Sequence, residues 1–130
     1  MTMNKLFLGF VGGIFMLMGV LYALNPSGML SITGMQIPTS QATIDAVAVY
    51  AGIQLGFGGF LIMAARNAAL QLAALLSTAC ILGGLALART LSMVWLADYD
   101  SFHIGALLFE WPIALMAWRS YKAQGTESRN

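Results

Sequence analysis

The chain has 130 residues, of which 59% are apolar and only 8% are charged, and its mean hydropathy is +0.79. A soluble domain carries about 25% charged residues, so the composition excludes an ordinary soluble domain, a coiled coil and a disordered chain. The formal net charge of +1 offers no basis for binding nucleic acid. Because the length suffices for four membrane crossings and their connections, we predict an integral membrane protein with one domain.

Four apolar runs predict an all-α four-helix bundle, with spans at residues 6–24, 45–65, 68–95 and 103–118. Residues 25–44 are turn-rich and predict an outer loop, and residues 119–130 predict a cytoplasmic tail whose polar last part, Ala123–Asn130, is expected to be frayed. The first run also resembles a signal peptide. It is longer than a usual h-region and lacks a good small-x-small cleavage site, so we expect a retained helix.

The Lys and Arg residues of the short connections predict the orientation of the spans. Lys5 precedes the first span, Arg66 lies between the second and third, and Arg119, Lys122 and Arg129 follow the fourth. The other two connections contain neither Lys nor Arg. All basic flanks therefore fall on one side, and we expect both termini in the cytoplasm.

Two glycine pairs have the spacing that allows the backbones of membrane helices to approach closely. They are Gly9 with Gly13 in the first span and Gly52 with Gly56 in the second. We interpret them as packing contacts within the bundle. The alternative is a homo-oligomer formed through the same four glycines.

The residues that usually hold cofactors are scarce. A single histidine and a single cysteine, Cys80, leave no ligand set for bis-histidine haem, an iron–sulfur cluster or structural zinc in one chain. The nine methionines are scattered without paired spacing. We expect no cofactor and no metal site.

Two ionisable residues lie inside the predicted spans, where such groups are rare and are functional candidates by default. Arg89 lies about seven residues below the outer connection in the third span, and Glu110 lies about seven residues below it in the fourth. Both are roughly 10 Å deep at 1.5 Å per residue. Equal depth on consecutive antiparallel helices predicts an ion pair.

Further polar residues lie at similar depth or on the same helix faces. Gln71, Thr78 and Arg89 fall on one stripe of the third span, and His103 and Glu110 are seven residues apart on the fourth. We expect a polar cluster facing the bundle interior and open to the outer side. Its predicted members are Tyr50, Gln54, Arg89, Ser92, His103 and Glu110.

The stretch from Asp98 to His103 reads D-x-D-x-x-H at the outer mouth. Asp and His can ligate a divalent metal, but three residues in one short loop are better explained as an acidic segment that caps the next helix. Pro112 follows Glu110 by two residues, frees a backbone carbonyl and is expected to kink the fourth span.

The order of these features resembles a family. A Pro-containing first outer loop, Tyr50-Ala51-Gly52, Leu55-Gly56-x-Gly58, Arg89 and Glu110 are arranged as in small bacterial four-span proteins of the domain-of-unknown-function family numbered 4345. The DoxX-like group is a more distant resemblance. The similarity covers residues 6–118 and implies a four-helix bundle in the bacterial cytoplasmic (inner) membrane, without established chemistry.

Several functions are compatible with this pattern. The Arg89–Glu110 pair is either a structural lock between two helices, the centre of a ligand site or part of a proton path. The interpretation we favour is a binding or accessory protein that holds a lipid-like or small amphipathic molecule, its tail along Leu85, Ala106 and Ala114, or that docks a helix of a membrane-protein partner. The alternatives are an intramembrane enzyme with Glu110 as general acid/base and a small proton-coupled transporter.

Overall fold

The computed structural model describes residues 2–127, and all its regular elements in that range are helices. Four helical stretches are long and apolar enough to cross a membrane: Met3–Leu24, Ser40–Arg66, Ala68–Leu96 and Ser101–Gly125. This confirms the all-α class and the four candidate spans. The chain divides after Ala68 into two compact units, called here the N-terminal unit and the C-terminal unit.

The N-terminal unit contains α1 (Thr2–Leu24), α2 (Pro26–Ser31), α3 (Ser40–Ala46), a π-helical segment (Val47–Gly52) and α4 (Ile53–Arg66). The predicted outer loop is thus partly helical, and the second span begins at Ser40 instead of residue 45. Side-chain caps explain both differences. Asn25 accepts a hydrogen bond from the Gly28 N–H at 3.0 Å, and Thr39 accepts one from the Ala42 N–H at 3.1 Å, which satisfies exposed donors at each helix start.

The end of α2 is set by a glycine in the left-handed region. Gly34 has φ 75°, its N–H donates to the Ser31 carbonyl at 3.0 Å, and the Met35 N–H donates to the Leu30 carbonyl at 3.2 Å. This is the Schellman pattern, which requires a positive φ that glycine adopts without steric penalty.

The π-helical segment lies within the second span and was not predicted from the sequence. A π-turn accommodates one extra residue in a helix and is frequent at functional sites. Here it carries Tyr50, whose ring stacks on Tyr22 of α1 with centroids 5.4 Å apart. Tyr22, Leu30 and Ala51 form a buried cluster at this end of the unit.

Helices α1 and α4 pack through glycines, but not through the pairs that the spacing suggested. A Cβ atom on Gly58 would lie 2.8 Å from the Met16 nitrogen and 2.9 Å from the Gly12 carbonyl oxygen, and one on Gly19 would lie 2.7 Å from Leu55. The backbones therefore approach closely at Gly12, Gly19 and Gly58.

Within the N-terminal unit, Gly13, Gly52 and Gly56 do not make the close contacts between α1 and α4 that their spacing suggested. A Cβ on Gly13 or Gly56 would meet nothing within 4 Å, and one on Gly52 would meet only the Val47 carbonyl of its own turn at 4.0 Å. Gly9 makes an ordinary contact, with Ala65 at 3.9 Å. The spacing rule identified helices rich in glycine, but the packing selected a different face of each.

The C-terminal unit contains α5 (Ala68–Leu96), except for its first residue, and α6 (Ser101–Glu127). Helix α6 continues through Pro112 and past Trp118, where the fourth span was expected to end. Residues 119–127 are therefore helical, including the part from Ala123 to Glu127 that was expected to be frayed, and the rest of the predicted tail lies outside the described residues. Trp118 stacks on Tyr121 in this extension, with Lys122 Nζ 5.4 Å from the Trp118 ring centroid.

Two of the three residues in the polar stripe predicted on α5 are buried. Gln71 and Thr78 are 1% and 0% exposed, and the Thr78 hydroxyl donates to the Ala74 carbonyl at 2.7 Å. Gln71 accepts a long hydrogen bond of 3.5 Å from the Gln124 amide of α6, while its own Nε2 has no partner in the described part of the chain. Gln71 and Thr78 are thus inaccessible to solvent, whereas Arg89 at the far end of the stripe is partly exposed.

Candidate functional site

The strongest polar contact in the C-terminal unit joins α5 to α6. Arg89 Nε donates to Glu110 Oε2 at 3.1 Å, and Arg89 Nη2 donates to Glu110 Oε1 at 2.9 Å. This is the bidentate fork that makes Arg–carboxylate pairs strong and directional. The Glu110 side chain is only 7% exposed, whereas that of Arg89 is 25% exposed. The ion pair predicted from equal depth is present, with its carboxylate buried and its guanidinium partly open.

His103, in the first turn of α6, is the third member of this network. Arg89 Nη1 lies 2.9 Å from His103 Nδ1. Arginine has no acceptor atom, so the bond requires a lone pair on Nδ1 and therefore places the imidazole proton on Nε2. In this geometry His103 accepts from Arg89 at one ring nitrogen and carries a donor at the other.

Arg89 has more donors than the protein uses. Of its five N–H hydrogens, two are directed to Glu110 and one to His103. The remaining two have no acceptor among residues 3–125, whose side chains the structure describes. An N–H group in an apolar surrounding costs free energy unless it is hydrogen-bonded. The guanidinium therefore retains the capacity to bind acceptor atoms that are not part of this chain.

Arg89 and His103 line an open recess of about 330 Å³ within the C-terminal unit. The other lining residues are Leu85, Ala88, Ser92, Met93, Leu96 and Asp98. Most of them fall at i, i+3, i+4, i+7, i+8 and i+11 of α5, which is one face of its last three turns. The recess thus combines apolar walls with a few convergent polar groups, the usual composition of a small-molecule site.

The end of α5 places an acidic residue at this recess. Ala97 has φ 51°, a left-handed conformation that non-glycine residues rarely adopt. Its N–H donates to the Val94 carbonyl at 3.4 Å, and the Asp98 N–H donates to the Met93 carbonyl at 3.2 Å. The Schellman turn folds the chain back over the last turn of α5, and Asp98 lines the recess as a result.

Asp100 has a different role. Its Oδ2 accepts a hydrogen bond from the Phe102 N–H at 3.1 Å, at the start of α6. This matches the interpretation of the acidic loop as a helix-capping segment. Among the described residues, no group of three His, Cys, Asp or Glu side chains is close enough to hold a metal ion.

The predicted site residues fall in two units. Arg89, Ser92, His103 and Glu110 all belong to the C-terminal unit; three of them line the recess, and Glu110 lies behind Arg89. Tyr50 and Gln54 belong to the N-terminal unit, so their membership of a site with Arg89 stays a prediction.

Tyr50 lines a recess of its own within the N-terminal unit, of about 410 Å³, together with Asp45 and Gln36. Its hydroxyl contacts the Met35 sulfur at 3.8 Å. A thioether is a weak acceptor, so this hydroxyl is poorly satisfied by that contact.

Some residues of the recess were missed or misplaced from the sequence. Ala106 and Ala114 were expected to line the path of a ligand tail, but neither lines the recess, and Ala114 is 5% exposed. Ala88, Met93 and Leu96 were not singled out. Extending the helical face of Arg89 and Ser92 by one turn in each direction would have identified them, since they share that face.

Comparison with known proteins identifies the family without a function. No curated protein and no solved structure matches the chain. The family model described as "Domain of unknown function (DUF4345)" matches residues 3–120, which include all four candidate spans almost completely and every residue of the recess. The chain therefore belongs to the DUF4345 family of domains of unknown function.

Proposed function

We propose that this protein binds a small amphipathic or lipid-like molecule in the recess of the C-terminal unit. The proposal rests on the hydrogen bonding of Arg89. Glu110 holds its guanidinium on one side, and two of its N–H donors stay unused at the wall of a largely apolar recess. A structural lock between two helices needs the fork to Glu110 and no open cavity beside it. The surplus of polar groups supports a ligand.

The recess divides into a polar and an apolar part. Arg89, His103 and Ser92 offer hydrogen bonds to a head group, and Leu85, Met93 and Leu96 offer apolar contact to a short tail. A ligand that is polar at one end and apolar at the other satisfies both parts at once. A fully apolar ligand would leave the two Arg89 donors without acceptors, which is unfavourable.

Catalysis by Glu110 is the less favoured function. Both of its carboxylate oxygens accept hydrogen bonds from Arg89, and the side chain does not line the recess. A general acid/base must lie within hydrogen-bond reach of the proton it transfers. We therefore propose binding, with Glu110 as the group that positions Arg89.

We further propose that the recess opens to the outer side of the bacterial cytoplasmic membrane, as the one-sided Lys/Arg distribution suggests. Single cysteines placed at Ser101 and at Ala123, in a Cys80→Ala background, test the orientation. An impermeant maleimide should label intact cells at position 101 and not at position 123. The reverse labelling pattern would contradict the proposed orientation.

Filling the recess tests the binding function. Ala88→Phe adds a ring at the wall of the recess, whereas Leu87→Phe changes its exposed, non-lining neighbour. Native mass spectrometry of the detergent-purified protein should show a retained amphipathic adduct on the wild type and on Leu87→Phe, and loss of that adduct on Ala88→Phe. A wild-type protein without an adduct, or equal retention of the adduct by both variants, would contradict ligand binding in the recess. The Arg89–Glu110 pair would then have only a structural role.

A further inference from the structure

The charges around the recess restrict which head group it accepts. Glu110 neutralises Arg89 through both oxygens, and His103 is bound as an acceptor at Nδ1, which leaves its ring uncharged. Asp98 then contributes an unpaired negative charge to the lining. No cationic side chain forms a salt bridge with Asp98 among residues 3–125. The groups around the recess thus sum to a net negative charge although an arginine lines it.

The hydrogen-bonding groups at the same place are mainly donors. Arg89 keeps two N–H hydrogens, and His103 carries its proton on Nε2 when Nδ1 accepts. Ser92 contributes a hydroxyl that either donates or accepts. A head group that fits must therefore present acceptor atoms. An anion would do so, but it would also meet the uncompensated carboxylate of Asp98.

We infer that the recess selects amphipathic molecules whose head is an uncharged hydrogen-bond acceptor such as an ester or ketone carbonyl, and that Asp98 is the residue that disfavours anions. This inference rests on the proposed binding function and specifies its ligand class. A carbonyl oxygen accepts two hydrogen bonds, which matches the number of Arg89 donors left unused. It brings no charge into a recess that already contains the carboxylate of Asp98, so no like-charge repulsion arises.

The chain offers a matched pair of variants for Asp98. Asp98→Asn and Asp100→Asn each remove one negative charge from the same short connection, but only Asp98 lines the recess. Asparagine is as good a helix N-cap as aspartate, so Asp100→Asn preserves the cap on α6 that the Phe102 N–H bond records. The comparison separates a charge in the recess from a charge merely nearby.

The test uses three probes with one dodecyl-length chain and different heads: methyl dodecanoate, dodecane-1-sulfonate and dodecyltrimethylammonium. Binding to the purified protein in nanodiscs is titrated by native mass spectrometry, and only adducts lost in Ala88→Phe are counted as occupying the recess. We expect methyl dodecanoate to bind the wild type more tightly than the sulfonate. Asp98→Asn should raise the affinity for the sulfonate about tenfold, as removal of one nearby like charge would, and leave the ester unchanged.

The outcomes separate this inference from the proposed function. Sulfonate or ammonium binding at least as tight as that of the ester would overturn the head-group selectivity and leave binding in the recess supported. An equal gain in sulfonate affinity for Asp98→Asn and Asp100→Asn would overturn the role of Asp98. If no probe gives an adduct that Ala88→Phe removes, the proposed binding function fails and the selectivity fails with it.

Discussion

The long helices of the N-terminal unit meet at glycines, which have no side chain. Those of the C-terminal unit meet through charged side chains. At Gly58 and Gly12 the backbones of α4 and α1 are so close that an added Cβ would overlap main-chain atoms. Between α5 and α6, Arg89 and Glu110 form a bidentate ion pair with His103 attached. Burial of apolar surface does not drive helix association in lipid, so each unit relies on one of the two remaining means, close packing or polar contact.

The two kinds of contact also differ in what they make available to ligands. Closely packed glycines fill space and leave no unsatisfied atoms. A buried ion pair fixes a charged group at a defined place, and in this protein Arg89 retains donors beyond those that hold the helices together. The comparison teaches that the polar contact can serve two roles at once, whereas the steric contact serves one.

Breaking the ion pair should have the largest effect on stability. Removing one partner of a buried pair costs about 3–5 kcal/mol, while removing both is often nearly neutral. Arg89→Met should destabilise the protein more than Glu110→Gln. Arg89→Met leaves an unpaired carboxylate that is 7% exposed, whereas Glu110→Gln leaves an unpaired guanidinium that is 25% exposed. The free energy of unfolding in mixed micelles is the measurement.

The double variant Arg89→Met/Glu110→Gln is the control for this comparison. It should be more stable than Arg89→Met alone because no unpaired charge remains. If the two single effects simply add, the pair does not couple α5 to α6, and the polar mode of association proposed for this unit is wrong.

Filling the glycine contact should have the next largest effect. In Gly58→Ala the new Cβ would lie 2.8 Å from the Met16 nitrogen, which is backbone and cannot rotate away. Overpacking of this kind costs about 1–3 kcal/mol. Gly56→Ala is the matched control, since its Cβ meets nothing within 4 Å in the described chain.

Gly56→Ala should be neutral or slightly stabilising, because alanine is preferred to glycine in a helix. Both variants are compared by the free energy of unfolding, with circular dichroism to verify helix content. Equal effects at positions 56 and 58 would show that the close approach of α1 and α4 does not contribute to stability.

The smallest effect is expected at the two turns that end with a left-handed residue. Gly34 and Ala97 occupy equivalent positions in their Schellman turns, with φ 75° and 51°. The left-handed conformation costs a residue with a Cβ roughly 1–2 kcal/mol. Ala97→Gly should therefore stabilise the protein by about 1 kcal/mol, and Gly34→Ala should destabilise it by a similar amount.

Thermal unfolding of these two variants, with Ala73→Gly at an exposed position in the second turn of α5 as a control, checks the prediction. The control should lose about 0.5–1 kcal/mol, as glycine does inside a helix. A loss of stability in Ala97→Gly comparable to that of the control would mean that Ala97 is not held in the left-handed conformation.

Features that depend on distance along the helix axis were predictable from the sequence. The four spans follow from apolar run lengths, and the Arg89–Glu110 pair follows from counting residues below a shared connection. The cap supplied by Asp100 follows from local chemistry at a helix start. In each case the decisive quantity is the number of residues from a recognisable boundary, which a single sequence contains.

Features that depend on rotation about the helix axis were less accessible. Gly9 and Gly13 have small-xxx-small spacing, yet α1 packs through Gly12 and Gly19 while Gly13 is exposed. The π-helical segment adds a residue within the second span and so turns the residues after it relative to those before it. Neither the chosen register nor the inserted residue leaves a signal in composition or periodicity.

By itself, then, the sequence determined the all-α class, the four candidate spans and the depth at which an arginine and a glutamate meet. The tertiary structure alone decided which glycines touch, that Asp98 and Ala88 line the same recess as Arg89, and that Glu110 holds the guanidinium without lining that recess. The physical reason is that hydrophobicity and chain length act along each helix separately. Which face of one helix packs against another is set by side-chain fit between segments distant in sequence.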